Sequence, residues 1–302
     1  MEVEALLSGC VVSKGRDVGV YAVSLAEAAG TRFYALIGNG ASPSGSPSDW
    51  ASYSLEVDWP AVGMASLRYP GEADLLVLAV GAAGEFWELR PGGPSQEAGR
   101  IAPGLSGVTR VAAVGAELWC CGMGRAVWAR DAAGTWRDLS APAPSPEEAV
   151  VGFTALAALP DRSALAAGWG GELWLHGAHG WRREVSGTRA NLNAASVDER
   201  GNVVVVGDGG VLVEGRPGQW RMSQADAALN LTGVSHFQGH VFVCSEFDLF
   251  LWQDGRLIPE ERFAGSDRPR SCLNLLPGGS TLASQGERDL FVFSEGRWSR
   301  VL

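Results

Sequence analysis

Lysine is almost absent from this 302-residue chain: Lys14 stands alone, and every other basic side chain is arginine. Together with abundant Ala, Gly and Pro, that imbalance fits the coding bias of a GC-rich genome rather than a special arginine chemistry. Basic residues are also outnumbered, 24 Lys and Arg against 34 Asp and Glu, for a formal net charge of −10. Such a chain repels a phosphate backbone, which excludes nucleic acid as the main partner and leaves a basic protein as a compatible one. Nowhere does an apolar run approach the roughly 18 residues that span a bilayer, so no membrane association is expected. No helical hydrophobic period persists either, which leaves an all-β reading with little competition. Cysteine is scarce and odd in number, five in all. Scattered as they are, they read as reduced, small core residues of a cytoplasmic protein, and the adjacent Cys120 and Cys121 would point to opposite faces of a strand. The N-terminal segment begins with acidic residues and makes a poor signal peptide. Its LLSGC resembles a lipidation site at Cys10 but lacks the basic start and longer apolar stretch that such a site needs.

Catalytic material is thin as well. Of four histidines, His176 and His179 lie in HGAH at a hairpin tip, with no Cys or carboxylate spaced to complete a metal site, and His236 and His240 flank another turn. Asp208, in GDGG, is a turn former rather than part of a calcium loop. The glycine-rich stretches lead into strands, not helices, so they do not cradle phosphate. The four tyrosines all fall in the first quarter of the chain. No catalytic constellation, metal or cofactor is expected.

What the chain does contain is a repeat. Residues 167–181 read AGWGGELWLHGAHGW, and residues 206–220 read VGDGGVLVEGRPGQW. Each carries a small residue and Gly, a tight glycine turn, a short apolar run, a second polar turn and then Trp. Degenerate copies occupy 79–93, 120–136, 244–258 and 284–298. The apolar runs end at Trp87, Trp128, Trp174, Val213, Trp252 and Phe293, about 41 residues apart on average. A four-stranded unit cannot bury both of its faces alone, whereas a ring of such units can, so the period predicts a single β-propeller of seven four-stranded blades over 1–302. Blade 1, about 1–61, is the least regular, with a mobile Gly/Ser/Pro loop at 38–49. Trp136, Trp181, Trp220 and Trp298 are predicted to be equivalent, each at the start of a fourth strand and each mostly buried. For ring closure the sequence leaves two routes open: a direct interface of blade 7 with blade 1, or addition of the N-terminal EVEALL to blade 7.

The turn ARDAAGTW at 129–136 keeps Asp131, Thr135 and Trp136 of an Asp-box repeat, with Ala129 and Ala133 where that motif has Ser and Gly. On those residues the chain resembles the β-propeller superfamily in its Asp-box-like and WD-like forms, without pointing to one family inside it. The resemblance implies a fold, and it implies sialidase-like chemistry only if a tyrosine nucleophile and arginine cluster accompany it; no tyrosine here carries such a motif.

Function is therefore sought in the loops that lead from each outer strand to the next inner strand, where a rigid scaffold presents variable residues. They place Arg189, Asn191, Asn193, Asn230, Arg268 and Arg270 just before the inner strands, and a further loop adds Glu147 and Glu148. These residues either cap loop backbone and pair between blades or line a partner-binding mouth; the six Arg and Asn residues are the candidate partner-binding set. Trp169 reads as an exposed contact, a lectin-type stacking platform or, more simply, packing against a neighbouring blade. The expected function is a non-catalytic, protein-binding propeller in the cytoplasm: an immunity or antitoxin-like inhibitor, whose target would be a basic toxin, or an assembly factor with its client. The alternative is a carbohydrate-binding or carbohydrate-cleaving propeller.

Overall fold

The computed structural model describes residues 5–13, 17–25, 28–37, 50–69, 75–89, 96–148, 150–226 and 228–302. The Gly/Ser/Pro loop at 38–49 lies outside them. The strands group into seven four-stranded sheets, each made of four consecutive strands in sequence order. Sheet 1 runs from Leu6–Ser13 to Trp50–Val57, sheet 2 from Ala61–Leu67 to Gln96–Arg100, and sheet 3 from Val108–Val114 to Trp136–Asp138. Sheet 4 comprises Phe153–Ala158, Ala164–Gly168, Leu173–Gly177 and Gly180–Arg183. Sheet 5 comprises Leu192–Val197, Val203–Gly207, Val211–Arg216 and Gln219–Gln224. Sheets 6 and 7 run from Leu231–Phe237 to Arg256–Pro259 and from Asn274–Pro277 to Arg297–Arg300. The chain divides into two compact units, one of residues 62–231 and one of residues 1–61 with 232–302.

Burial follows strand position. Second strands are covered on both faces and read as unbroken apolar runs: every residue of Leu76–Gly81, Ala164–Gly168 and Val203–Gly207 is buried. Fourth strands lie at the rim, so Gly180–Arg183 and Arg256–Pro259 are largely exposed. Within each unit, neighbouring sheets share their cores. Cys120 joins the cluster between sheets 2 and 3 while Cys121 joins the one between sheets 3 and 4, as their adjacency on a strand requires. All five cysteines are free thiols and buried, Cys10 within the first strand. Burial pushes the Cys121 and Cys272 thiols up to about 12, so they act as small apolar residues and not as nucleophiles.

The tryptophan alignment is reproduced in the hydrogen-bond register. Trp136, Trp181, Trp220 and Trp298 each open or nearly open a fourth strand, opposite Arg130, His176, Gly215 and Phe293. Trp298 is fully buried and the other three are half-buried. Each also reaches the preceding sheet. The Trp181 indole N–H donates to the Leu139 carbonyl at 2.5 Å, and that of Trp220 donates to Glu184 Oε2 at 2.7 Å. Leu139 and Glu184 lie three residues beyond Trp136 and Trp181, so the same latch recurs with different acceptors. Glu260 holds the matching place near Trp298. Burial pushes its carboxyl up, but hydrogen bonds from Arg262 and proximity to the Trp298 indole outweigh that and hold it below the usual range.

At the N-terminus the structure takes one of the two routes left open. Leu6–Ser13 pairs with Asp17–Leu25 and stays in sheet 1, so it does not extend sheet 7. The two sheets meet directly: the Leu6 N–H donates to the Glu287 carbonyl at 2.6 Å, and Leu6 and Tyr21 pack with Leu290 and Val292.

Candidate functional site

In the unit of residues 62–231, the loops after the second strands and after the fourth strands lie at the same end of each sheet. Glycines bring them together. A side-chain carbon at Gly168 would stand 1.8 Å from the Gly152 carbonyl oxygen, and one at Gly207 would stand 2.1 Å from that of Asn191. Neither neighbour is a flexible side chain; both are backbone. This is why the second strands of sheets 3, 4 and 5 end in Gly122, Gly168 and Gly207. Gly168→Ala is accordingly expected to cost about 1–3 kcal/mol through forced backbone displacement, readable as a lower midpoint in urea. Gly177→Ala, where nothing stands within 4 Å, is the comparison that should leave the midpoint nearly unchanged.

The next glycines turn the chain. Gly170 and Gly209 adopt φ of 66° and 67°, a left-handed conformation that costs a side chain roughly 1–2 kcal/mol. Their N–H groups donate to the side-chain oxygens of Asn191 and Asn230, each at 3.1 Å. The two contacts are one contact repeated 39 residues later. Asn191 Nδ2 also donates to Asp208 at 2.9 Å, and Asn193 Nδ2 donates to Asp208 at 2.8 Å and to the Leu231 carbonyl at 3.0 Å. The three asparagines are thus engaged in fixing loops, and Asp208 receives two of them.

The arginines divide differently. Arg189 is exposed, and among the described residues its side chain has no partner. Arg268 and Arg270 belong to the other unit. Arg268 donates to the carbonyls of Gly265 and Asp267 at 3.1 and 2.9 Å and lies 4.4 Å over the Phe263 ring, so it holds its own loop. Arg270 is exposed, with its backbone N–H on Asp289 at 2.7 Å and its charge near Asp267.

An open cleft of about 840 Å³ lies among residues 183–189, Gly170 and Gly171. Ser186 closes its floor by donating to the Gly171 carbonyl at 2.7 Å. One wall is tied to the proline-rich segment through Arg125. This guanidinium is buried, binds Glu172 through Nε at 2.9 and 3.0 Å, donates to the Pro142 carbonyl at 3.1 Å and pairs with Glu148. Arg125 has φ of 62° at the place where the two clearest repeats have Gly171 and Gly210. Glu147 is exposed beside Glu148. Arg183 borders the same cleft, with Glu172 and Glu148 at 3.8 and 3.9 Å.

Sequence reasoning did not find the apolar members of this surface. Val185 is 84% exposed, Met222 43%, Val150 67% and Trp169 38%. Trp169 is thus partly exposed, and its backbone N–H is held on the Gly152 carbonyl at 3.0 Å beside Gly168. The signal for Val185 was faint: a lone apolar residue in RREVSGT, after the last strand residue.

The remaining candidates are structural. His176 packs edge-on between Trp119 and Trp181 at 5.1 and 5.0 Å, and burial, helped by Arg137 and opposed by Glu117, lowers its affinity for a proton. His179 is exposed at its hairpin tip. Asp131 accepts from the Thr135 N–H at 2.9 Å, so the Asp-box remnant closes its turn. No group of three or more His, Cys, Asp or Glu among the described residues is arranged to hold a metal ion.

No family model matches the chain. Among solved structures, YCF48 bound to a D1 peptide superposes with a TM-score of 0.68 at 14% identity, covering 96% of this chain and 91% of that one. The WD40 β-propeller domain of Doa1 superposes with a TM-score of 0.64 at 11% identity, covering 98% and 92%. A match to the extracellular domain of the B. thetaiotaomicron two-component system protein BT4673 has a TM-score of 0.66 at 10% identity, but this chain spans only 38% of its length. These likenesses show the β-propeller fold. Immune protein Tsi7 of Pseudomonas aeruginosa is closer in sequence, 31% identical over 250 residues that make up 80% of each protein. With that identity over that share of both proteins, the chain belongs to the family of immune protein Tsi7.

Proposed function

We propose that the chain is a non-catalytic immunity protein that binds a protein toxin and blocks it. Its kinship with immune protein Tsi7 carries the reading. The loop architecture supports it: glycine contacts and asparagine bridges hold the loops of residues 62–231 in one arrangement, which lowers the entropy lost on docking a rigid partner. A related fold holds a peptide in the YCF48 structure, so polypeptide is a ligand that this architecture accepts. The net charge of −10 favours a basic toxin by speeding encounter over long range. We read the seven sheets as the blades of one propeller and place the protein in the cytoplasm of the cell that it protects, where five buried thiols stay reduced.

The test is co-expression with any growth-inhibiting protein encoded by the genes flanking its own. Growth should be restored, and the purified proteins should form a stoichiometric complex by calorimetry. Cells that die despite full expression, together with no measurable heat of binding, would exclude the reading.

A further inference from the structure

We infer that the toxin docks on the cleft at residues 183–189 by presenting a carboxylate to Arg189 with apolar side chains beside it. This rests on the immunity reading and names the surface and chemistry by which it would work.

Exposed large apolar residues are few among the described residues, and in the unit of residues 62–231 there are four: Val150, Trp169, Val185 and Met222. Val150, Trp169 and Val185 lie at one end of sheet 4, and Met222 lies within the fourth strand of sheet 5, beside Gly187. The opposite turns, at 115–116, 161–162, 178–179, 199–201 and 216–218, carry none. Backbone contacts place them in a row. The Trp169 N–H donates to the Gly152 carbonyl at 3.0 Å, which sets Trp169 beside the segment bearing Val150. The Ser186 contact with Gly171 sets Val185 beside the Trp169 turn. A side-chain carbon at Gly187 would stand 3.3 Å from the Met222 Cβ. Grouped exposed apolar residues on a rigid scaffold mark an interaction surface more strongly than scattered ones do.

Charge decides the occupant. Around the cleft, Arg125 and Arg183 face Glu172 and Glu148, and Arg182 pairs with Glu184 at 2.7 Å. Arg189 alone has no carboxylate. Its forked guanidinium is unmatched, in a molecule whose net charge is of the other sign. A carboxylate accepts both arms of an arginine at once, and apolar neighbours that exclude water strengthen the pair. The long-range attraction for a basic toxin and this short-range anchor act at different distances and do not conflict.

The experiment uses the full chain and the purified toxin that it is found to neutralise, with affinity from calorimetry and fold checked by thermal melting. Arg189→Glu and Val185→Asp should each weaken binding about 100-fold, the scale of a central anchor residue, with the melting temperature unchanged because both side chains are exposed. Arg200→Glu, at the opposite end of sheet 5, should leave affinity within about threefold. An Asp→Lys or Glu→Lys change on the toxin should restore binding to Arg189→Glu and to no other variant. If the wild-type chain binds and both cleft variants bind equally well, the docking site is wrong and the immunity reading stands. Loss with Arg189→Glu that no reversal on the toxin restores would overturn the carboxylate anchor. If the wild-type chain is found to neutralise no such toxin, both fall.

Discussion

Glu172→Ala is expected to lower stability by about 3–5 kcal/mol, the cost of leaving a buried charge without its partner. Arg125 and Glu172 are 3% and 2% exposed. The guanidinium uses Nε on both Glu172 oxygens, shares Nη2 between Glu172 and Glu148, and donates Nη1 to the Pro142 carbonyl. Removing Glu172 leaves that cation out of water with only Glu148, itself 30% exposed, to oppose it. The effect should be seen as a shifted urea midpoint at neutral pH. A second substitution separates charge from packing. Arg125→Gly restores the residue that the equivalent turns carry and removes the left-handed strain at φ 62°. Added to Glu172→Ala, it should recover part of the loss. If the double variant were as unstable as the sum of the two singles, the cost would lie in lost packing and not in the stranded charge. Opening of the segment at 142–148 to protease should accompany Glu172→Ala, since Arg125 is its tether.

Trp298→Ala should cost a similar amount, about 3–5 kcal/mol. The indole is fully buried, with ring centres of Phe293 at 5.2 Å, Phe242 at 5.8 Å and Phe263 at 6.4 Å. It belongs to sheet 7, while Phe242 belongs to sheet 6, so truncation opens a void in the core that the two sheets share. The backbone is committed as well: the Trp298 N–H donates to the Arg262 carbonyl, and its own carbonyl accepts from the Ala264 N–H, both at 2.7 Å. Trp298→Phe keeps most of the volume and should cost under about 1.5 kcal/mol. Trp136→Ala should cost less than Trp298→Ala in the same denaturation series, because Trp136 is half-buried and contacts a single ring, Phe86 at 5.6 Å. Equal losses at the two positions would show that burial does not set the cost.

Several features of the site are legible in the sequence because they are local. The glycine turns in AGWGG and VGDGG require positive φ within four residues. The loops preceding inner strands hold Arg189, exposed there with no partner among the described residues. Trp169 is not legible in the same way: its sequence suits packing on a neighbour, and the fold leaves it 38% exposed. Nor does the sequence divide Asn191, Asn193 and Asn230 between loop-capping and partner contact. Their partners are Gly170, Asp208, Gly209 and Leu231, which lie up to 38 residues away and on neighbouring turns. Arg125 is easily overlooked, though its signal is present: GMGR stands where two repeats have Gly-x-Gly-Gly.

The sequence by itself determined the strands of sheets 2 to 7, their grouping in fours and the equivalence of the four tryptophans, but not the first strand of sheet 1. Each of these depends on a period, of two residues along a strand or of about 41 along the chain. Only the tertiary structure decided which side chains are spent. Asn191 becomes a cap because Gly170 turns toward it. Arg125 becomes a buried clamp because Glu172 lies in the next sheet, and Val185 stays exposed because nothing packs above the rim of a fourth strand. Those outcomes depend on contacts between different sheets, which no period along the chain encodes.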